Sequence, residues 1–338
     1  MIELKKDNLV FSFPEVHKNA VLRIDFQRTL RIPDDGERHA LPPGLGSFPL
    51  RHVDDFGEKV PDQWLEHGGV MLPMYQSEAL WLNFGSGWGA GYPFAVKVAT
   101  GKVNAVTGKP WENGLNRKPQ DYIVVPEQPW LDGYCVKEGE IRQFVAMPLG
   151  AGYTAEEQIT GEAEHGGIQI IAYPMRREAY ERLRKTDRRQ LFGSGEDHLM
   201  AVPASAKFSL GLSPGGRMRQ KIYKDKRKFD VWDLENASRC FVHIANSMVW
   251  RAITGKEPPT VPPTSKEYTD MGLPWFDLYD EHMPALDGSG KLADLKSVKQ
   301  LGEEKGDVPL PENESVDPKN VKKLRHGLKK NQVREGIF

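Results

Sequence analysis

The sequence has few of the features that assign a chain to a familiar class of protein. Its 338 residues contain only two cysteines, Cys135 and Cys240, so neither a disulfide framework nor a cysteine-rich zinc site is expected. No apolar run approaches the roughly eighteen residues that a membrane helix needs. The first fifteen residues contain no apolar signal segment. We therefore expect a cytoplasmic protein with reduced cysteines and no membrane contact.

Sequence motifs of common catalytic sites are also missing. The chain has no GxSxG nucleophile turn, no HExxH zinc motif, no P-loop and no GxGxxG that leads into a helix. A His-x-His pair within a strand is absent as well. The net charge of −1 argues against a dedicated nucleic-acid-binding protein. An enzyme is therefore less expected than a binding protein.

One tetrapeptide, EHGG, is present twice, at residues 66–69 and 164–167. A β-branched residue follows each copy directly, and a tyrosine follows six residues after the second glycine. Pro-Leu precedes both copies and FGSG follows both, with offsets of 98 to 108 residues between matching positions. These matches predict an internal duplication with units of about a hundred residues, a common domain size.

Composition and local pattern predict a mainly β protein, α+β overall. The 33 glycines and 25 prolines favour turns and short elements. Apolar runs such as NLVFSF, AVLRIDF, GGVMLPMY and EALWLNF are typical of strands, and hairpins are expected around Thr100-Gly101 and Glu138-Gly139. We expect two tandem β-rich units, residues 1–118 and 119–225, then one amphipathic helix within 226–255. An extended Pro-rich C-terminal arm, residues 256–338, follows and ends in a short basic helix.

The amphipathic helix is predicted from apolar residues at helical spacing, which we expect to be buried against the β-rich body. These residues are Leu234, Ala237, Phe241, Ile244 and Met248. Asp233 is the expected N-terminal cap and Gly255 the expected stop.

The EHGG repeat has two interpretations. Two glycines before an apolar run make a sharp turn into a strand, because glycine accepts positive φ, and the histidines then hold the turn by hydrogen bonds. Alternatively, histidines with nearby carboxylates form a metal or acid–base site. The candidate metal ligands are His67, Glu164, His165 and His198. No cofactor is expected on the first interpretation and a divalent metal on the second.

Charge is unevenly distributed along the chain. Residues 1–170 hold 16 Lys/Arg against 23 Asp/Glu, and residues 171–338 hold 30 against 24. A basic run at 215–228 supplies candidate anion-binding residues, although a solvated face is the usual explanation for such runs. The candidates are Arg217, Arg219, Lys221, Lys226 and Arg227.

Three functional hypotheses follow. The leading one is a non-catalytic binding or self-assembly protein, a homo-oligomer held together by the C-terminal arm through the cluster Trp275, Phe276, Leu278 and Tyr279. The second is a metal-dependent enzyme, a hydrolase or oxygenase, that uses the EHGG histidines. The third is a polyanion or nucleic-acid binder that uses the basic second half.

Overall fold

The protein is mainly β, with short helices between the strands. The computed structural model describes residues 1–85, 91–187, 210–278 and 283–324. The strands are β1 (Ile2–Lys5), β2 (Asn8–Ser12), β3 (Val21–Thr29), β4 (Arg38–His39), β5 (Gly44–Ser47), β6 (Arg51–His52), β7 (Val70–Met74), β8 (Ala79–Asn83), β9 (Phe94–Thr100), β10 (Val103–Asn104), β11 (Ile123–Val125), β12 (Trp130–Leu131), β13 (Gly133–Lys137), β14 (Glu140–Pro148), β15 (Ile168–Pro174), β16 (Leu210–Arg219), β17 (Ser238–Asn246), β18 (Trp275–Leu278) and β19 (Val321–Leu324).

The helices are α1 (Asp62–His67), α2 (Ala155–Thr160), α3 (Arg177–Asp187), α4 (Ser247–Thr254), α5 (Ser265–Asp270), α6 (Gly290–Ala293) and α7 (Val298–Lys305), with 3-10 segments at Asp54–Lys59, Phe229–Val231 and Pro311–Asn313. None of the helices within the described ranges is long and apolar enough to cross a membrane.

Most strand-like runs of the sequence form the strands that they predict. β2, β3, β7 and β8 coincide with the four runs quoted above. Both expected hairpins form: β9 pairs with β10, and β13 pairs with β14. Their turns contain Gly101 at φ +55° and Gly139 at φ +72°, backbone conformations that glycine adopts without strain.

Seventeen of the strands in the described ranges join into one hydrogen-bonded sheet system, and β18 and β19 form a separate parallel pair. Neighbours in the large system are antiparallel, apart from the parallel pairs β7–β17 and β4–β16. Strands of residues 1–118 pair directly with strands of residues 119–225, as in β8–β14 and β9–β15. The division of the chain into two units at residue 118 stays a prediction.

Strand β17 lies between the two strands that follow the EHGG copies. β7 runs parallel to it on one side, and β15 runs antiparallel to it on the other. Val242 is the register partner of both Val70 and Ile168, the residues directly after the two glycine pairs. Farther along β17 its neighbour is β16 instead of β15, because Leu210 of β16 pairs with Ile244 of β17. Both EHGG turns therefore lie next to the same position of β17, Val242.

Two apolar clusters cover the two faces of this region. Val242 and Ile244 belong to the main core, together with inward residues of β9 and β15. Because side chains alternate along a strand, Phe241, His243 and Ala245 point to the opposite face. A smaller cluster that includes Trp64 of α1, Met71 of β7, Ala245 and Trp250 of α4 covers that face.

The helix predicted for residues 233–253 is wrong over most of its length. Ser238–Asn246 forms β17, and α4 begins only at Ser247, after the Asn246 side chain has accepted a hydrogen bond from the backbone N–H of Met248. Leu234 and Met248 of the predicted apolar face are 42 % and 52 % exposed. The pairing of β17 with two distant strands overrides a local spacing that fits a helix.

The two residues expected to bound that helix behave differently. Asp233 does not cap a helix, because its carboxylate accepts hydrogen bonds from the backbone N–H groups of Glu235 and Asn236 in a turn. Gly255 does end α4, at φ +67°, as predicted.

The C-terminal segment packs along the body of its own chain. Trp275 is fully buried, and Leu292 of α6 and Val298 of α7 are buried as well. The Ser265 hydroxyl donates to the carbonyl of Arg31. Apolar side chains spaced singly along the segment therefore hold it against the sheet, and whether the arm also joins subunits stays a prediction.

The end of the arm also differs from the prediction. The first part of the expected basic helix is strand β19, in which Val321 pairs with Trp275 of β18. Phe276 forms a bridge with Leu41 of the body. Tyr279 and residues 325–338 lie outside the described residues.

Candidate functional site

The first EHGG copy is the junction between α1 and β7. Helix α1 ends at His67, and Gly68 and Gly69 have φ values of +60° and +89°. A Cβ on Gly69 would lie 2.1 Å from the carbonyl oxygen of Phe241, so only glycine permits this approach of the turn to β17. A Cβ on Gly68 would meet no atom within 4 Å, so glycine is favoured there only because of the positive φ.

The second EHGG copy is the turn that enters β15. Glu156, which is 3 % exposed, accepts hydrogen bonds from the backbone N–H groups of His165 and Gly166 at 2.9 and 2.7 Å. A Cβ on Gly167 would lie 2.5 Å from the carbonyl oxygen of Val242. Both second glycines of the repeat therefore serve the same purpose, close contact with the backbone of β17.

The two turns meet across β17. The ring centroids of His67 and His165 lie 5.5 Å apart. The side chain of Gln63, one turn before His67 on α1, donates to the carbonyl of Glu164 at 2.5 Å and ties the two turns together. The structure thus places three of the four sequence-predicted residues in one site. His198, the fourth, lies outside the described residues, and its assignment stays a prediction.

Aromatic rings from β17 and α1 support the two histidines. The His67 ring stacks on Phe241 at 4.9 Å, Phe241 on His243 at 4.5 Å, and His243 on Trp64 at 4.6 Å. Sequence reasoning missed His243 and Trp64 as members of the site. The signal was the alternation Phe-Val-His in residues 241–243, which puts Phe241 and His243 on one face if the segment is a strand.

Burial lowers the pKa of two of the imidazoles. His243 is 1 % exposed, and burial lowers its pKa to about 4, although its Nε2 donates to the carbonyl oxygen of Gly68 at 3.0 Å. His67 is exposed overall, yet one ring face packs on Phe241. Its pKa is lowered, first by burial and then by the nearby charge of His165.

His165 is the unusual member of the cluster. It is 7 % exposed, and neither Nδ1 nor Nε2 has a hydrogen-bond partner among the described residues. Nε2 lies 2.9 Å from the carboxylate of Glu164, but this contact is outside hydrogen-bonding alignment. The Glu164 side chain is 58 % exposed. An unpaired buried polar group costs about 1–3 kcal/mol, so a bound ligand is a physical reason for such a group.

The cluster as it stands is not a closed metal cage. Within residues 1–85, 91–187, 210–278 and 283–324, no set of three or more His, Cys, Asp or Glu side chains has an arrangement that would hold an ion. The imidazoles of His67 and His165 lie side by side, and the exposed carboxylate of Glu164 lies next to His165.

The candidate anion-binding residues do not converge on one site. Arg217 lies 3.6 Å from Glu140, Arg219 lies 3.4 Å from Asp277, and Arg227 pairs with Glu127. Lys226 contacts the sulfur of Met283 at 3.5 Å, and Lys221 has a partner too. These pairs partly neutralise the basic run, and the anion-binding role of these five residues stays a prediction.

Comparison with known proteins adds nothing to the geometry. The chain matches no protein-family model, no curated protein and no solved structure. Its function is therefore argued from the site itself.

Proposed function

We propose that this protein binds a divalent transition-metal ion at the place where the two EHGG turns meet. The observation that carries the proposal is the buried His165 ring, which has no hydrogen-bond partner among the described residues and lies 5.5 Å from His67. Imidazole is a preferred ligand of Zn²⁺, Ni²⁺ and Cu²⁺. Metal ligation would satisfy a ring nitrogen that is otherwise unpaired.

The spacing of the two rings supports this ligand class. Two imidazoles that bind one tetrahedral ion through bonds of about 2.0–2.1 Å have ring centroids roughly 5 Å apart. The observed separation between His67 and His165 is 5.5 Å. Glu164, whose carboxylate is 2.9 Å from Nε2 of His165, is in reach of a third position. Water occupies the remaining coordination position of the ion, as in open zinc sites.

The surroundings prepare the imidazoles for this role. A histidine must be neutral to bind a metal, and the lowered pKa of His67 favours that form. Glu156 and Gln63 fix the backbone of the second turn, and Phe241 supports the His67 ring. The turn-only interpretation accounts for the glycines, but it does not explain why the buried Nδ1 of His165 has no partner among the described residues.

Isothermal titration with Zn²⁺ tests the proposal on the purified, chelator-treated protein. We expect one saturable site per chain and a loss of at least about tenfold in affinity in His67→Asn and in His165→Asn. Glu164→Gln should weaken binding as well. His39→Gln and Glu162→Gln are matched controls. His39 lies on β4 and pairs with Asp35, and Glu162 is exposed just upstream of the second turn.

Two outcomes would contradict the proposal. One is the absence of saturable binding in the wild-type protein. The other is equal affinity in wild type and His67→Asn, a variant whose exposed position makes it a safe substitution for folding. Thermal unfolding of each variant without metal separates a lost ligand from a lost fold.

The internal duplication is part of the same proposal. Two observations support it. Val70 and Ile168, which follow the two EHGG copies, both pair with Val242 of β17, and Gly69 and Gly167 both lie against the backbone of β17. A cytoplasmic setting is proposed with it, since both cysteines are buried free thiols.

Self-assembly through the arm is a second candidate function. The observation that favours it is an apolar patch beside the β18–β19 pair: Met271, Leu273 and Val321 are 70 %, 40 % and 42 % exposed. Light scattering at micromolar concentration is the test. If wild type has the mass of a dimer, Met271→Ser/Leu273→Ser has the mass of a monomer and Val308→Ser remains a dimer, the patch takes part in self-assembly. A monomeric wild-type protein rules it out.

A further inference from the structure

A cavity of about 420 Å³ lies between the C-terminal arm and the body, on segments that take no part in the histidine cluster. Four short segments line it: 106–107, 117–120, 224–225 and 286–289. Ligand sites for small molecules typically have volumes of about 300–1,000 Å³. The arm closes one side of this cavity, because a Cβ on Gly288 would lie 2.4 Å from the backbone of Lys137. Only glycine lets the arm approach so closely.

Three cations line the cavity: Arg117, Lys118 and Lys224. The Arg117 guanidinium is held in place, because it donates to the backbone carbonyls of Arg227 and Asp225. These carbonyls orient the guanidinium, and the carboxylate of Asp225 lies 4.0 Å from its Nη1 and neutralises part of its charge. Lys118 is exposed.

The two carboxylates in the lining compete only partly with an incoming anion. Asp225 is 8 % exposed, and its oxygens accept from the Tyr122 hydroxyl at 2.8 Å and from the Trp232 indole N–H at 3.0 Å. Asp287 pairs with Lys224 at 3.2 Å, but its side chain is 84 % exposed. Exposed pairs of this kind contribute about 0–1 kcal/mol, so a ligand anion can replace this carboxylate.

The remaining lining is apolar on one side, where Val106, Pro119 and Leu286 line the cavity. A bare inorganic anion would leave this wall unfilled. We infer that the cavity binds a small organic phosphate, with the phosphate between Arg117, Lys118 and Lys224 and an apolar body against Val106 and Leu286. Arginine and lysine together suit a dianion, since the guanidinium supplies directed donors and the ammonium groups supply charge.

This site refines the anion-binding idea. Lys224 belongs to the basic run at 215–228, but the cations that share a cavity with it, Arg117 and Lys118, come from the first half of the chain. The inference is independent of the proposed metal site, because no residue is common to the two.

The probe for the test is phenyl phosphate, which combines a dianion with an apolar ring, titrated into the full-length protein by calorimetry. We expect one saturable site, and a loss of roughly tenfold or more in affinity in Lys118→Gln/Lys224→Gln, because charge-assisted hydrogen bonds are removed. Inorganic phosphate should bind more weakly than the probe, and neutral benzyl alcohol should not bind. Lys59→Gln, an exposed lysine on another surface, is the matched control and should bind like wild type.

Three results would overturn the inference. The first is that phenyl phosphate shows no saturable binding. The second is that the double variant binds phenyl phosphate as tightly as wild type. The third is that Lys59→Gln lowers the affinity as much as the double variant does. Equal affinity for inorganic phosphate and phenyl phosphate would overturn the part assigned to the apolar wall. Both substituted lysines are at the surface, and unfolding curves of the variants test whether the fold is kept.

Discussion

Asp132 makes the stability of this protein depend on pH in a defined direction. This carboxyl is 4 % exposed, between β12 and β13, and accepts a hydrogen bond from the Gln220 amide at 2.6 Å. Burial is the main cause that raises its pKa from 3.8 to about 7. Because the folded-state pKa lies above the unfolded value, the folded chain holds a proton that the unfolded chain has released. Stability is therefore full at low pH and is lost as the pH rises toward about 7.

The size of the effect follows from linkage. A shift from 3.8 to about 7 predicts that roughly 2–3 kcal/mol of unfolding free energy is lost between about pH 5 and pH 8 through Asp132 alone. Asp132→Asn keeps the shape and the hydrogen bond from Gln220 but cannot ionise. The variant should therefore gain roughly 2–3 kcal/mol relative to wild type over the same rise in pH.

Urea unfolding at a series of pH values measures this difference. Other groups titrate in the same range, His243 with the opposite sign because its pKa is lowered to about 4. They contribute equally to both proteins, so the difference between the two profiles isolates Asp132. Parallel profiles for wild type and Asp132→Asn would refute the reasoning, since they would mean that Asp132 is hydrated or ionised in the folded protein.

Three further predictions concern the turns and the arm. Gly69→Ala should be less stable to urea than Gly68→Ala by at least about 2 kcal/mol. Both variants place alanine at a positive φ, but only Gly69→Ala also places a Cβ against the backbone of β17. Equal losses of stability in the two variants would count against this close contact. Glu156→Ala should cost about 2–4 kcal/mol by leaving two buried N–H groups unpaired, and a loss below about 0.5 kcal/mol in thermal unfolding would contradict this. Trp275→Ala should cost about 3–5 kcal/mol and Met271→Ala almost nothing, if the arm is fixed by its buried tryptophan; similar midpoints for the two would show that the arm is peripheral.

The sequence was sufficient for most of the strands, but it left open whether the two EHGG histidines meet. Runs such as residues 8–12 and 70–74 carry their strand signal locally, and glycines at Gly101 and Gly139 mark the hairpin turns. The convergence of His67 and His165 was foreseen only as one of two open interpretations. It depends on the pairing of β17 with both β7 and β15, which join residues more than 60 positions apart.

The errors have a common physical cause in non-local pairing. Phe241, Ile244 and Met248 have helical spacing, yet hydrogen bonds to two distant strands make residues 238–246 a strand. His243 was missed as a consequence, because a helix would have placed it away from Phe241. The packing of the arm on the body could not be predicted, because its anchors, such as Leu292 and Val298, are single apolar residues in a polar context whose partners are far away in the chain.

X-ray absorption at the zinc edge, recorded on the protein with one equivalent of Zn²⁺, tests the central claim most directly. The account predicts two imidazole ligands with Zn–N distances of about 2.0–2.1 Å together with oxygen ligands, and the loss of one imidazole in His67→Asn. A spectrum with oxygen ligands only, or one that His67→Asn leaves unchanged, would contradict the claim that the two EHGG turns together form a metal site.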